Sequence, residues 1–237
     1  MYERAHIPGA VNVSPAELIC GVPPATGKLP QLADLQFLFR RLGLTTQRKV
    51  VTYDDEGGGW AGRLAWTLDM IGHENWIYLD GGIHSWRAAG LPLSQEPMKP
   101  TPSQITIKVN SKSIARMQEV IRAIDDPEAT IWDCRSKEEH EGTQAFAARA
   151  GHIPGAVNLD WLELIDDARD SKLIERLEEK LASHGITRDD DVITHCQTHH
   201  RSGLTYMAGR LLGFPRIRAY DGSWSEWGNH ENTPVER

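Results

Sequence analysis

Short apolar runs bounded by turn residues alternate along this chain with longer segments whose apolar positions recur at helical spacing. In the second half the pattern predicts a buried strand over residues 130–133, an amphipathic helix over 173–184 ended by Gly185, and a strand over 192–195. A helix follows over 202–212, stopping near Gly213, and then a strand over 217–220. Asp221-Gly222 turns the chain into a short helix in which Ser223 and Glu226 have capping-box spacing. Strands alternating with helices predict an α/β fold whose mainly parallel sheet is covered on both faces. Ligands of such sheets gather outside the carboxyl ends of the strands.

The pattern occurs twice. "AHIPGAVNVSPAEL", from Ala5, returns as "GHIPGAVNLDWLEL" from Gly151, and the segment from Lys49 runs parallel to the one from Asp191. Two copies of one domain are expected, 1–93 and 104–237. The proline-rich stretch 94–103 between them has little to bury and serves as a linker. The second copy carries "TIWDCR" well before its "GHIPGAV", whereas the first begins almost at the corresponding motif. The first copy is therefore expected to lack its opening strand and helix. Losing a core strand would exceed the reserve of a small domain, which favours an incomplete chain over a damaged sheet.

With 237 residues, 40% of them hydrophobic, the chain can bury a sizeable core. Its formal net charge of -7 argues against a general nucleic-acid or anionic-membrane partner. Any anionic substrate must be attracted locally. Glu3, Arg4 and Glu17 interrupt the first twenty residues, so no secretory signal is expected there, and no apolar run reaches the length of a membrane span. The three cysteines, Cys20, Cys134 and Cys196, are odd in number and far apart, which favours a reducing, cytoplasmic setting with at least one free thiol.

Cys196 opens the stretch "CQTHHRSGL" between a predicted strand and a predicted helix. Unpaired N–H groups of a first helical turn, and the positive end of the helix dipole, favour a thiolate there. Arg201 adds a fixed positive charge, and His199 and His200 can donate hydrogen bonds or protons. The same loop can thus activate the sulfur and hold an anion against it. Cys134, in "IWDCRS", reads as a core residue, and Cys20 has no supporting context. His6 and His152 belong to the repeated "HIPGA" turn. Only one copy has a nucleophile, so both histidines read as structural.

"YERAHIPGAVNV", "CQTHHR" and "YDGSWSEW", in that order, resemble the signatures of the rhodaneses, in the tandem-domain form with a bacterial type of active loop. The resemblance implies two rhodanese-like α/β domains of which the second is catalytic. The first copy agrees, because Asp54-Asp55 stands where the second has Cys196. It also implies sulfur transfer through a Cys196 persulfide, from a donor such as thiosulfate to cyanide or a thiol, with no cofactor and no metal. Gln197, Thr198, His199, His200, Arg201 and Ser202 would form the anion-binding loop, their backbone amides stabilising the persulfide. Where vertebrate members place an arginine and a lysine to hold thiosulfate, this chain has Glu139 and Thr198, and His199 and His200 are the candidate substitutes. Asp133 and Arg135 would brace the loop through an ion pair, and Trp224, with Trp227, would wall the cleft.

Three other readings stay open. A cysteine phosphatase also sets cysteine and arginine around a helix start, but with five intervening residues; here there are four. A metal module built on His195, Cys196, His199 and His200 lacks a distant ligand pair. A persulfide carrier that hands sulfur to a partner protein would look the same in sequence.

Overall fold

The computed structural model describes residues 2–237. Its first unit contains α1 (Leu32–Arg41), β1 (Val50–Thr52), α2 (Gly59–Met70), β2 (Trp76–Tyr78) and α3 (Gly82–Ala88). β1 and β2 pair in parallel, Val50 opposite Trp76, and form the sheet of this unit among the described residues. Its core gathers Leu35, Leu38 and Phe39 of α1 with Leu18, Leu68 and Ile71.

The second unit contains α4 (Met117–Ala123), β3 (Ala129–Asp133), α5 (Lys137–His140), β4 (Val157–Asn158), β5 (Ile165–Asp166) and β6 (Lys172–Leu173). It continues with α6 (Leu177–Ser183), β7 (Asp191–His195), α7 (Arg201–Leu211), β8 (Ile217–Ala219) and α8 (Ser223–Trp227). Four parallel strands stand in the order β4-β3-β7-β8. The central strand β7 is apolar on both faces because helices cover both. Val192 packs in one cluster with Leu204, Met207 and Ala208 of α7, and Ile193 packs in the opposite one with Tyr220, Trp224 and Trp227.

The predicted strands and the helix at 202–212 lie within a residue of the observed elements. The helix predicted over 173–184 does not. Leu173 belongs to the hairpin β5–β6, and α6 covers Leu177–Ser183. The apolar side chains of 173–174 follow a strand before the helical period begins, and periodicity alone cannot separate the two in so short a run. The Ser223–Glu226 capping box also does not form. Ser223 takes φ +50, its hydroxyl donates to the Tyr220 carbonyl at 2.9 Å, and Glu226 instead accepts the Tyr220 hydroxyl at 2.8 Å.

The linker region is largely exposed, but its ends belong to the first unit. Ser94 bridges His6 through reciprocal backbone hydrogen bonds of 2.8 and 2.9 Å. Beyond it, the Ile107 amide donates to Gln36 at 3.1 Å and its side chain is buried against α1.

The two units share one core along the crossing of α2 and α7. Trp66 and Met70 from the first pack with Leu204, Tyr206 and Met207 from the second. Burying each such side chain contributes about 1.5–3 kcal/mol. The helices approach so closely because Gly62 faces Gly203: a Cβ on Gly62 would stand 2.2 Å from the Gly203 carbonyl oxygen. Polar contacts complete the seam, with Tyr206 donating to Asp69 at 2.7 Å and Lys28 paired to Glu226 at 2.5 Å. Among the described residues, no helix is long and apolar enough to cross a membrane.

Candidate active site

The chain leaves β7 at His195, turns through residues 196–200 and enters α7 at Arg201. Cys196 lies at the floor of this turn and is 1% exposed. None of the six amides from Gln197 to Ser202 donates to a backbone carbonyl of the described residues. The turn is tight enough that His199 takes φ +55, a conformation disfavoured by roughly 1–2 kcal/mol for a residue with a Cβ.

Burial alone would raise the Cys196 thiol. It is outweighed by the Cys134 thiol beside it, the Arg201 charge, and the hydroxyl and amide of Ser202, so the sulfur titrates well below an ordinary cysteine. The Ser202 hydroxyl donates to Cys196 Sγ at 3.5 Å and lies 2.7 Å from His199 Nδ1. Burial and the Arg63 charge push His199 well below its usual range, so it is neutral. With the serine proton directed at the sulfur, His199 must donate from Nδ1, leaving Nε2 bare; that nitrogen is buried without a partner. His199, Ser202 and Cys196 thus form one polarised chain ending at the thiolate.

One loop residue departs from expectation, and the charge of a second is already paired. His199 faces inward, edge to face with Trp66 at 4.4 Å, so it offers no positive charge to a bound anion. Nor is Arg201 a free cation. Its two terminal nitrogens grip the buried Glu139 at 2.5 and 2.8 Å, a partly exposed pair that raises the arginine's pKa despite desolvation. Glu139, at the position noted as an arginine in vertebrate members, is the partner that fixes Arg201.

The remaining predicted residues take distinct places. His200 stacks on Trp60 at 4.5 Å, with Nε2 3.1 Å from Glu56, so first-unit side chains flank the mouth of the loop. Gln197 donates to the Phe146 carbonyl at 3.0 Å. Thr198 is half-buried, and its carbonyl presses on the first unit so closely that a Cβ on Gly27 would lie 1.8 Å from it. Asp133 and Arg135 do form an ion pair, at 2.6 Å and fully buried. Asp133 also meets His140 at 3.0 Å and stands 4.0 Å from His195, the residue before the nucleophile. Burial would raise Asp133, but His195, His140 and Arg135 together hold it far below the carboxylate range. The Trp224 ring is buried under the Arg135 guanidinium at 4.4 Å; its contact with the loop is its backbone N–H, donating to the Cys196 carbonyl at 2.9 Å.

Two neighbours of the sulfur were given no part in its chemistry from the sequence: Arg63 was not singled out, and Cys134 was read as a core residue, which its burial bears out. Arg63 of α2 is fully buried, donates to Gly27 O at 2.7 Å, to His199 O at 3.3 Å and to Leu18 O, and lies over the Trp66 ring. Burial lowers it to about 10, against the opposing charges of Asp221 and Cys196. A single charge among the small and apolar residues of "WAGRLAW" was its only trace. Cys134 follows β3 as Cys196 follows β7. Asp133 is in register with His195, so the two thiols stand side by side on the following rung, and Cys134 N–H donates to His195 O at 3.0 Å.

A buried sulfur of lowered pKa at the carboxyl end of a parallel strand, in a turn whose amides lack backbone acceptors, is the arrangement from which enzymes transfer groups through a cysteine. The chain belongs to the rhodanese family, whose rhodanese-like domain matches residues 1–89 and 116–230. It is 46% identical to a thiosulfate sulfurtransferase of Pseudomonas aeruginosa, over 99% of this chain and 87% of that protein. The corresponding values for a thiosulfate sulfurtransferase of Azotobacter vinelandii are 44%, 99% and 87%. The sulfur carrier protein TtuD of Thermus thermophilus is 30% identical, over 100% and 87%. Among solved structures, the anaerobic ergothioneine biosynthesis enzyme of Chlorobium limicola, in complex with trimethyl histidine, superposes with a TM-score of 0.88 at 25% identity, covering 99% of this chain and 61% of that one. The protein is a tandem rhodanese that transfers sulfur by way of a cysteine persulfide.

Proposed function

We propose that Cys196 carries the transferred sulfur, accepting it from thiosulfate and delivering it to cyanide or a small thiol. One observation carries this reading: the Cys196 sulfur is held below its ordinary pKa at the centre of a turn whose six amides have no backbone acceptor. The thiolate attacks the outer sulfur of thiosulfate, the S–S bond breaks, and sulfite leaves with the electron pair. The negative charge then sits on the outer sulfur of the persulfide, within reach of amides 197–202, which stabilise it as preorganised dipoles. Nucleophilic attack on that sulfur by the acceptor regenerates the thiolate. Arg201, tied to Glu139, acts through the field it places on Cys196, while the loop backbone and the Thr198 hydroxyl are the groups left to meet the donor.

On this reading residues 1–93 are a non-catalytic unit, 94–103 a linker and 104–237 the catalytic unit, and the protein works in the cytoplasm without nucleic acid or membrane. Delivery to a sulfur-accepting protein is a second reading, supported by the similarity to the carrier TtuD. Intact-mass measurement after thiosulfate treatment is expected to show one added sulfur, mapped to the Cys196 peptide and missing in Cys196→Ser. An adduct on another residue, or turnover of an aryl phosphate in place of thiosulfate, overturns the assignment.

A further inference from the structure

Cys134 has no part in the two-step cycle, yet the fold holds it against the nucleophile. Parallel strands stand about 4.8 Å apart, inside the Cα–Cα window of roughly 4.4–6.8 Å that a disulfide spans. Residues 134 and 196 are the next rung after the paired Asp133 and His195, and the ladder continues through the bond from Cys134 N–H to His195 O. Side chains on one rung leave the same face of a sheet. Both thiols are accordingly buried in the same cluster and interact directly. Neither cysteine is in a disulfide.

We infer that Cys134 is a resolving thiol: when no acceptor arrives, it attacks the inner sulfur of the Cys196 persulfide, closing a Cys134–Cys196 disulfide and releasing hydrosulfide. The inference rests on Cys196 being the persulfide carrier. The step balances without an external oxidant. The electron pair of the Cys134 sulfur forms the new bond to Cys196 Sγ, and the bond from Sγ to the outer sulfur breaks. The outer sulfur leaves with that pair and the Cys134 proton as HS⁻. The two thiols are oxidised and the sulfane sulfur is reduced. The nucleophile in such exchange is a thiolate, and Cys134 is the weaker of the two, because burial and the neighbouring Cys196 charge both hold its proton. Loading sulfur onto Cys196 moves that charge one atom outward and eases the second constraint. Resolution is therefore slow beside turnover and becomes visible once acceptors run out. It converts an idle persulfide into a disulfide that a dithiol reductant reopens.

The 237-residue chain and its Cys134→Ser and Cys134→Ala variants are loaded with thiosulfate, freed of donor, and held without acceptor or oxygen, with intact mass and hydrosulfide followed in time. The unsubstituted chain is expected to lose the one-sulfur adduct, release one equivalent of hydrosulfide and end two hydrogens lighter than the reduced protein, with the 134 and 196 peptides linked. Both variants are expected to keep the adduct at least about tenfold longer. Decay at the same rate in all three, or hydrosulfide without the linked peptides, overturns the inference. Failure of the unsubstituted chain to gain sulfur at all would overturn instead the assignment of Cys196. Thermal unfolding of each variant confirms that the comparison is between folded proteins.

Discussion

The loop after β1 and the loop after β7 are two versions of the same turn, and one filled position separates them. In the first, Asp54 stands where Cys196 stands in the second, and its carboxylate accepts the amides of Gly58 and Ala61 at 2.8 and 2.9 Å and that of Glu56 at 3.2 Å. In the second, the amides of Gln197 to Ser202 find no backbone acceptor. The turn itself requires a left-handed residue, supplied by Gly57 at φ +83 in one copy and His199 at φ +55 in the other. A strand-to-helix turn gathers amides whatever its sequence; the residue at its floor decides what they serve. A carboxylate satisfies them permanently, whereas a thiolate leaves room for one more atom of charge.

Writing the first solution into the second loop is the severest test. Cys196→Asp is expected to abolish sulfur transfer, lowering turnover by about four orders of magnitude or more while the protein stays folded. Steady-state thiosulfate–cyanide assays with circular dichroism decide this, and residual persulfide on the variant would break the comparison.

Next in size is the first-unit arginine that reaches the active loop. Arg63→Met strips donors from the carbonyls of Leu18, Gly27 and His199, and the stability loss read from urea unfolding should be about 3 kcal/mol. Turnover should fall as well, because the His199 turn loses its anchor. A variant as stable as the parent would show that the first unit does not hold the active loop through this side chain.

The smallest effect sharpens what the sulfur gains from its neighbours. Cys196 is a thiolate above its depressed pKa, so its alkylation rate should hold its plateau to lower pH than that of an ordinary cysteine before it falls. Ser202→Ala removes one charge-assisted hydrogen bond, worth about 1.5–3 kcal/mol, so the falling limb should move up by roughly one to two pH units. The linked stability has the same sign. A thiol whose folded pKa is depressed contributes stability that is full above the unfolded value, about 8.5, and is lost as pH falls through the folded one. An unmoved iodoacetamide profile would remove Ser202 from the account.

Much of this arrangement was legible because the repeat and the strand–loop–helix pattern around Cys196 are local features. Strand β7, helix α7 and the loop between them follow from apolar runs and turn residues within twenty positions. What stayed hidden depends on contacts across the chain. The Arg63 guanidinium meets His199 over 136 residues, and Glu139 reaches Arg201 over 62. Residue type alone gave Arg201 a fixed charge at the loop and made His199 a candidate to hold the donor, but burial keeps the histidine neutral and Glu139 pairs with the arginine. The helix predicted over 173–184 was started too early because Leu173, the last residue of hairpin β5–β6, lies just before a true helical period. The pairing of Cys134 with Cys196 required the register of β3 on β7, which no single segment encodes.

Gly27 presses against the Thr198 carbonyl with no space for even a methyl group between them. The unit that carries Asp54 at its turn is therefore a back wall for the loop of Cys196. Cutting the catalytic half free would discard the surface that gives its loop a shape, so the smallest piece of this protein able to keep its chemistry is both halves together.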